Sequence, residues 1–415
     1  MNPNYYDIII IGSGLAGLFS AYNIKNTSPD TSFLVLEKYK KEWIGGRSSN
    51  EMFQGTPVVT GAGVGRKDKD KLLIKLMDEI GVKYTQFESK INYANTFSPV
   101  DIMQIMRKLK SEFMMHPELH HKTFKEFFIK ILGAKLYKLF IISSGYTDYE
   151  NADLHDTLYN YGMEDNKGGW TGLYIPWKNM VDKLFHTIGK NHFKFSSDVV
   201  EIKKMKDKPC LFQIKTEAGT VYNCNRVIVA TTITGIQKLV CNQSSLYKQI
   251  HGQAFLRLYA KFNKESAEIM KKYVPSYTIV PGPLQKMIPM DPDKGIYMIA
   301  YSDNDSASRQ KKYLKNTHEN RNVYCDLIEE ALGILPNGQL QILAIKDYYW
   351  SDGTHYYEPL HGDFKTRKEF IHKAQHPENG MLVVGEVVSK NQGWVEGALE
   401  SVNLVLDKRW IKNEC

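Results

Sequence analysis

The chain has 415 residues, enough for two to three domains and a large core. Apolar residues make up 42% and charged residues 24%, which excludes a disordered chain, a collagen-like repeat and a disulfide scaffold. The 54 Lys and Arg against 46 Asp and Glu leave a net charge of +8, too modest for this length to demand an acidic partner.

The five cysteines, Cys210, Cys224, Cys241, Cys325 and Cys415, are scattered and contain no C-x-x-C pair. That usage predicts a reduced, intracellular, cytoplasmic protein. Acidic Asp7 precedes a short apolar run that ends in glycines, so no signal-peptide layout is expected. No stretch of 18 apolar residues occurs, so no membrane span is expected. The wealth of Lys, Asn, Ile and Tyr points to an AT-rich genome, such as a large DNA virus or a protist; a viral source would add the virion as a location.

In chain order, Asp7-Ile8-Ile9-Ile10-Ile11 is a continuous β-branched run, the mark of a strand buried on both faces. Gly12-Ser13-Gly14-Leu15-Ala16-Gly17 follows, then a helix over 18–25, then a second buried strand over 33–36 that ends in Glu37. Residues 71–80 place Leu73, Leu76, Met77 and Ile80 on one helix face, with Gly81 as the C-cap. Helical periodicity runs through 100–190. The pattern then changes to short strands at 199–202, 211–214 and 227–230, with Ala218-Gly219 as a turn. Mixed strands occupy 253–302, a buried strand 381–385, and a last helix 393–406.

Three motifs carry chemistry. The first is a dinucleotide fingerprint: Gly12 for the tight turn, Gly14 for close approach of a pyrophosphate, and Gly17 for packing of helix on strand. The helix N-terminus offers N–H groups to phosphates, and Glu37, 20 residues beyond Gly17, is placed to accept from ribose hydroxyls. The second is Gly45-Gly46-Arg47, which frees backbone beside a ligand and supplies a planar donor. Gly61, Ala62, Gly63 and Val64 form a further small-residue stretch. The third is Gly385-Glu386, at the end of a buried strand, followed by Gln392-Gly393-Trp394-Val395-Glu396-Gly397-Ala398 opening a helix.

In this order the three motifs resemble the flavin-containing amine oxidase family, which includes monoamine, polyamine and L-amino-acid oxidases. The resemblance implies an α/β fold of mixed α+β character: a discontinuous Rossmann-like FAD-binding domain with an inserted substrate domain of mixed sheet and helices. The FAD-binding domain is expected over 1–83, 190–252 and 350–415, and the substrate domain over 84–189 and 253–349. By resemblance, Gly12, Ser13, Gly14, Gly17 and Glu37 hold the adenosine diphosphate, and Val199 meets adenine. Gly46 and Arg47 lie near the pyrophosphate and isoalloxazine, with Gly61, Ala62, Gly63 and Val64 close by. Gly385 and Glu386 face the ribityl-pyrophosphate region, and Trp394 and Val395 lie beside the ring.

The sequence departs from the family at two places that bear on chemistry. Thr354 stands where monoamine oxidases carry the cysteine that bonds to the flavin, so FAD is expected to be non-covalent. Arg257 stands at the position of the family's active-site lysine, with Lys286 as a substitute from a neighbouring strand. Trp394, with His355 or Tyr356, is expected to form the aromatic pair that holds the substrate. The catalytic set is therefore Arg257, Lys286, Trp394 and His355, with no metal. The implied reaction is hydride transfer from an amine to flavin, with oxygen as acceptor and hydrogen peroxide as product. The expected partners are a small-molecule amine and oxygen; a homodimer is allowed, and neither membrane nor nucleic acid is expected. Two other readings stay open: a flavin desaturase or isomerase acting on a non-amine skeleton, and a non-catalytic FAD-stabilised scaffold. Glu358, Asp363 and Glu396 are candidate acids for a polyamine channel, and the run 66–71 reads as a solvated face.

Overall fold

The computed structural model describes residues 4–205, 211–240 and 244–412. Cys210, Cys241 and Cys415 lie outside them; Cys224 and Cys325 are free, buried thiols.

The strand Tyr5–Ile11 pairs in parallel with Phe33–Leu36 on one side and Val221–Val229 on the other. Phe193–Lys194 and Met381–Val383 extend the parallel set. Phe212–Thr216 and Val199–Lys204 add antiparallel strands at one edge. Side chains alternate between two cores. Ile8, Ile10, Phe33 and Val35 pack with the helices Leu15–Thr27, Trp177–Ile188 and Val395–Val405. Ile9, Ile11, Leu34 and Leu36 pack with Ile233–Leu239 and Arg367–Gln375. Burial on both faces is why these strands read as unbroken apolar runs.

The second sheet has six strands in the order Ile342–Tyr357, Ile250–Phe262, Ile296–Asp303, Lys286–Asp291, Tyr277–Ile279, Ile91–Tyr93. Leu256, Leu258 and Ala260 enter a core roofed by the helices Lys264–Tyr273 and His318–Leu332. The two-residue strand period turns Phe255, Arg257 and Tyr259 to the opposite face. Four helices, Ile102–Met115, Phe124–Leu132, Ala134–Ser144 and Leu154–Tyr159, form a separate aromatic-rich cluster.

Two expected domain edges, 252/253 and 349/350, fall inside the paired strands Ile250–Phe262 and Ile342–Tyr357. The helix Trp177–Ile188, within the expected substrate segment 84–189, supplies Trp177, Met180, Val181 and Leu184 to the first core. Their i, i+3, i+4, i+7 spacing makes one apolar face, which lies against the helix Leu15–Thr27. No helix among the described residues is long and apolar enough to cross a membrane.

Candidate active site

A cavity of about 1430 Å³ opens at the carboxyl ends of the parallel strands, where α/β sheets collect ligands. The residues just past each strand line it: Gly12, Ser13 and Gly14, then Glu37, then Ala230, then Gly385 and Glu386. It continues to the face of the second sheet that carries Phe255, Arg257 and Tyr301. Single drug-sized ligands occupy roughly 300–1,000 Å³, so there is room here for a dinucleotide and a substrate together.

The fingerprint glycines divide into two kinds. A Cβ on Gly12 would lie 2.4 Å from the Ala230 carbonyl oxygen, and one on Gly17 would lie 2.0 Å from that of Gly12. Those two are required by the protein's own packing, and Gly17 does not line the cavity. A Cβ on Gly14 would meet nothing within 4 Å, and one on Gly46 only the Gly14 Cα at 3.7 Å. The Gly45 N–H donates to the Ser13 carbonyl at 2.9 Å, which docks the second motif onto the first. Gly14 and Gly46 thus border an open slot that side chains would fill.

At one end of the cavity Glu37 accepts from the Ser13 N–H at 2.8 Å, the Ser13 hydroxyl at 2.7 Å and the Tyr39 N–H at 2.9 Å. Val199 lines the same end. Further along, Arg47 donates to the carbonyl of Gly353 at 2.6 Å and to the Glu386 carboxylate at 3.0 Å. Glu386 also accepts from the Gly393 N–H at 3.0 Å and from His355 Nδ1. The Ile233 N–H donates to His355 Nε2 at 3.1 Å, which leaves the ring hydrogen on Nδ1, facing Glu386. Burial works against a charge on Glu386, but His355, Arg47 and the Gly393 N–H together hold its carboxyl down at about 2.

The small-residue stretch is tight for internal reasons. A Cβ on Gly61 would lie 2.3 Å from the Arg47 carbonyl oxygen, and one on Gly63 would lie 2.9 Å from the Arg257 guanidinium. Gly61, Ala62, Gly63 and Val64 do line the cavity, yet the two glycines make way first for Arg47 and Arg257. Arg257 is buried, donates from Nε to the Gly61 carbonyl at 2.6 Å, and sits 4.2 Å from the Tyr301 ring centre.

Trp394 and Val395 line the cavity. The Arg66 guanidinium stacks 3.6 Å from the Trp394 ring centre. Arg66 is 7% exposed and bonds to Asp70 and Asp165. The run 66–71 is therefore no solvated face at its first residue: the i+4 spacing to Asp70 folds Arg66 inward, where it fixes the tryptophan.

Three expectations are corrected. His355 does not face the main cavity as a partner to Trp394; its side chain is fully buried on Glu386 and lines a small neighbouring cavity. Lys286 does not line the main cavity either. Its Nζ donates to the Gly145 carbonyl at 2.5 Å and lies 3.1 Å and 4.0 Å from the ring centres of Tyr146 and Tyr301, which wall it off. Burial pushes its ammonium down to about 7. None of the three candidate channel acids lines the main cavity. Glu396 accepts from the Leu72 and Leu73 N–H groups and caps the helix Lys71–Glu79; Glu358 pairs with His251 and His361; Asp363 is exposed.

Two acids that do line the cavity, Asp148 and Asp303, accompany the tyrosines Tyr146, Tyr161, Tyr277 and Tyr301. Asp148 follows the helix-ending Gly145 and has no periodic signal in the sequence to mark it.

FAD fits the residues present. The Gly14–Gly46 slot is free for a pyrophosphate, and the buried Thr354 hydroxyl, in the cavity wall, lacks a protein partner. Comparison with known proteins agrees with this fit. The model of the flavin containing amine oxidoreductase family matches residues 15–402. An uncharacterised protein of Acanthamoeba polyphaga mimivirus is 20% identical over 496 residues, covering 97% of this chain and 93% of its own. The fold is shared with putrescine oxidase bound to putrescine, at a TM-score of 0.72 and 13% identity over 96% of this chain and 97% of that one. It is shared equally with cyclohexylamine oxidase from Brevibacterium oxydans, at 0.72 and 14% over 95% and 96%. The chain belongs to the flavin containing amine oxidoreductase family and is an FAD-dependent oxidoreductase.

Proposed function

We propose that the chain oxidises a small amine, with oxygen as the final acceptor and hydrogen peroxide as the by-product. Non-covalently bound FAD supplies the two-electron acceptor for hydride leaving the carbon next to nitrogen, and the resulting imine is hydrolysed by water. The observation that carries this reading is the wall of the cavity beyond the nucleotide end. There Asp148 and Asp303 line the wall together with the tyrosines Tyr146, Tyr161, Tyr277 and Tyr301, and the Tyr161 hydroxyl donates to the Asp148 carboxylate at 2.6 Å. Carboxylates draw in an ammonium, and aromatic faces accommodate it. Putrescine and cyclohexylamine, in the names of the structural neighbours, belong to this class.

In this reading Gly14, Gly46 and the N-terminus of the helix Leu15–Thr27 receive the pyrophosphate, and Glu37 and Val199 the adenosine. Trp394, held by Arg66, forms a fixed apolar wall. Arg257 keeps a positive charge on the wall where the family has lysine, and Lys286 acts from behind the tyrosines as a positioning residue. The test is anaerobic loss of flavin absorbance, with aerobic peroxide release, across monoamines, diamines, amino acids and non-amine substrates. Bleaching by an amine is the expected result. Bleaching by a non-amine skeleton alone would refute the proposal and favour a desaturase or isomerase.

A further inference from the structure

A second, small cavity of about 50 Å³ lies beside the main one. Asp148, Tyr161, Gln392 and Gly393 line both, so these four form the partition between them. Asp148 is the ionisable carboxylate of that partition, and the fold fixes its place from three sides. The Gln253 amide donates to its carbonyl, Asp303 accepts from the N–H and hydroxyl of neighbouring Thr147, and the Tyr161 hydroxyl donates to its carboxylate at 2.6 Å.

An amine reaches an enzyme near neutral pH as an ammonium, whose nitrogen has no lone pair to assist departure of hydride from the adjacent carbon. It must lose a proton first. We propose that the Asp148 carboxylate is the base that takes this proton and releases it to water in the side cavity. The step balances without a further reactant: the N–H bond breaks, an O–H bond forms on Asp148, and the amine keeps the electron pair. It rests on the amine reading given above. Asp303 is committed to Thr147 and Gln285, and Lys286 sits behind the wall, so neither is placed as Asp148 is.

The charged surroundings suit a base. Burial and then the charge of Asp303 push the Asp148 carboxyl up to about 7, while the Tyr161 hydroxyl and Lys286 pull it down. On the side-cavity face Asp156 and Arg367 pair at 2.6 Å, His355 donates to Glu386, and Lys390 adds a cation.

The experiment compares anaerobic flavin reduction in the FAD-loaded wild type, Asp148→Asn and Asp148→Glu across pH, with putrescine and cyclohexylamine as probes. In the wild type the second-order rate constant for flavin reduction should level off between about 7, where Asp148 ionises, and roughly 10, where the amine does. Asp148→Asn should lose that plateau and climb about tenfold per pH unit as free amine accumulates, running about 10²-fold or more below wild type at neutral pH. Asp148→Glu should restore a plateau, which separates a base from a residue that only supports the fold. A plateau retained in Asp148→Asn overturns the proposal, and so does a loss of affinity for putrescine alone with the plateau intact, which would make Asp148 an ammonium anchor. If neither probe reduces the wild type, the best amine of the panel above takes their place, and no reduction by any amine of that panel overturns the amine reading and this inference with it.

Discussion

Two glycines three residues apart, Gly14 and Gly17, should fail in opposite ways when a side chain is added. At Gly17 a Cβ would stand 2.0 Å from the Gly12 carbonyl oxygen and 3.1 Å from its carbon, both backbone atoms that no rotamer change can move. Overpacking of a tight seam costs about 1–3 kcal/mol, and a backbone collision puts Gly17→Ala at the upper end, about 3 kcal/mol. At roughly 2–4 °C per kcal/mol for a domain of this kind, the apoprotein should melt about 6–12 °C lower. Gly14 has φ −66° and ψ 175°, open to any residue, and its Cβ meets no atom within 4 Å. Gly14→Val should therefore leave apoprotein Tm unchanged while its side chain fills the slot for the pyrophosphate. Added FAD at about 100 times its Kd should stabilise wild type by about 2.7 kcal/mol and Gly14→Val by none. Thermal unfolding of apoprotein with and without FAD, together with the flavin-to-protein absorbance ratio, reads both effects. A Gly14→Val protein that melts as low as Gly17→Ala, or that keeps wild-type flavin content, would refute the division of roles.

Acid precipitation should release all FAD into the supernatant, because Thr354 offers no thiol for a covalent bond; yellow colour on the washed pellet would contradict this. Glu386 is held at about 2 when folded against an ordinary 4.5, so its contribution to stability, about 3 kcal/mol, is full above pH 4.5 and drains away as pH falls towards 2. The stability gap between wild type and Glu386→Gln in urea should accordingly narrow between pH 6 and pH 3, and a constant gap would count against the hold of His355 and Arg47 on this carboxylate. Arg257→Met should slow flavin reduction about 10²–10³-fold with FAD retained, the usual loss for one positioned polar group at a reacting centre. Lys286→Met should instead leave the high-pH rate near wild type and move the acid limb upward, since a cation that lowers the Asp148 carboxyl is gone; the reverse pattern would make Lys286 the working group.

The nucleotide half was legible because its physics is local. A β-branched run, three glycines at fixed offsets and an acid at the next strand end are all contiguous in sequence, and the parallel pairing of Tyr5–Ile11 with Phe33–Leu36 follows from them. The domain edges were harder to read. Strand composition changes little across residue 252 or 350, and the strands Ile250–Phe262 and Ile342–Tyr357 pass through both points. Helix Trp177–Ile188 shows an apolar face in sequence, but nothing in that face says which core it joins.

Two of the misplaced site residues, His355 and Lys286, share one cause: their direction depends on partners more than 30 positions away. Resemblance to the family puts His355 or Tyr356 beside the substrate, yet Glu386 and the Ile233 N–H, 31 and 122 positions distant, draw the His355 ring away from it. Lys286 likewise turns to the Gly145 carbonyl, 141 positions away, and leaves the cavity to Asp148 and Asp303. Arg257 does line the cavity, and strand alternation supplies the reason: with Leu256 and Leu258 in the core, its side chain takes the opposite face. An arginine at 257 has a steric consequence. The broader guanidinium needs the space beside Gly63, where a Cβ would come within 2.9 Å of it. Gly63→Ala should therefore act like a partial loss of Arg257, slowing flavin reduction while FAD stays bound, and an Arg257→Lys background, with a slimmer head group, should tolerate the same alanine. If Gly63→Ala is equally harmful in both backgrounds, the glycine serves the cofactor directly and the coupling between residues 63 and 257 is wrong.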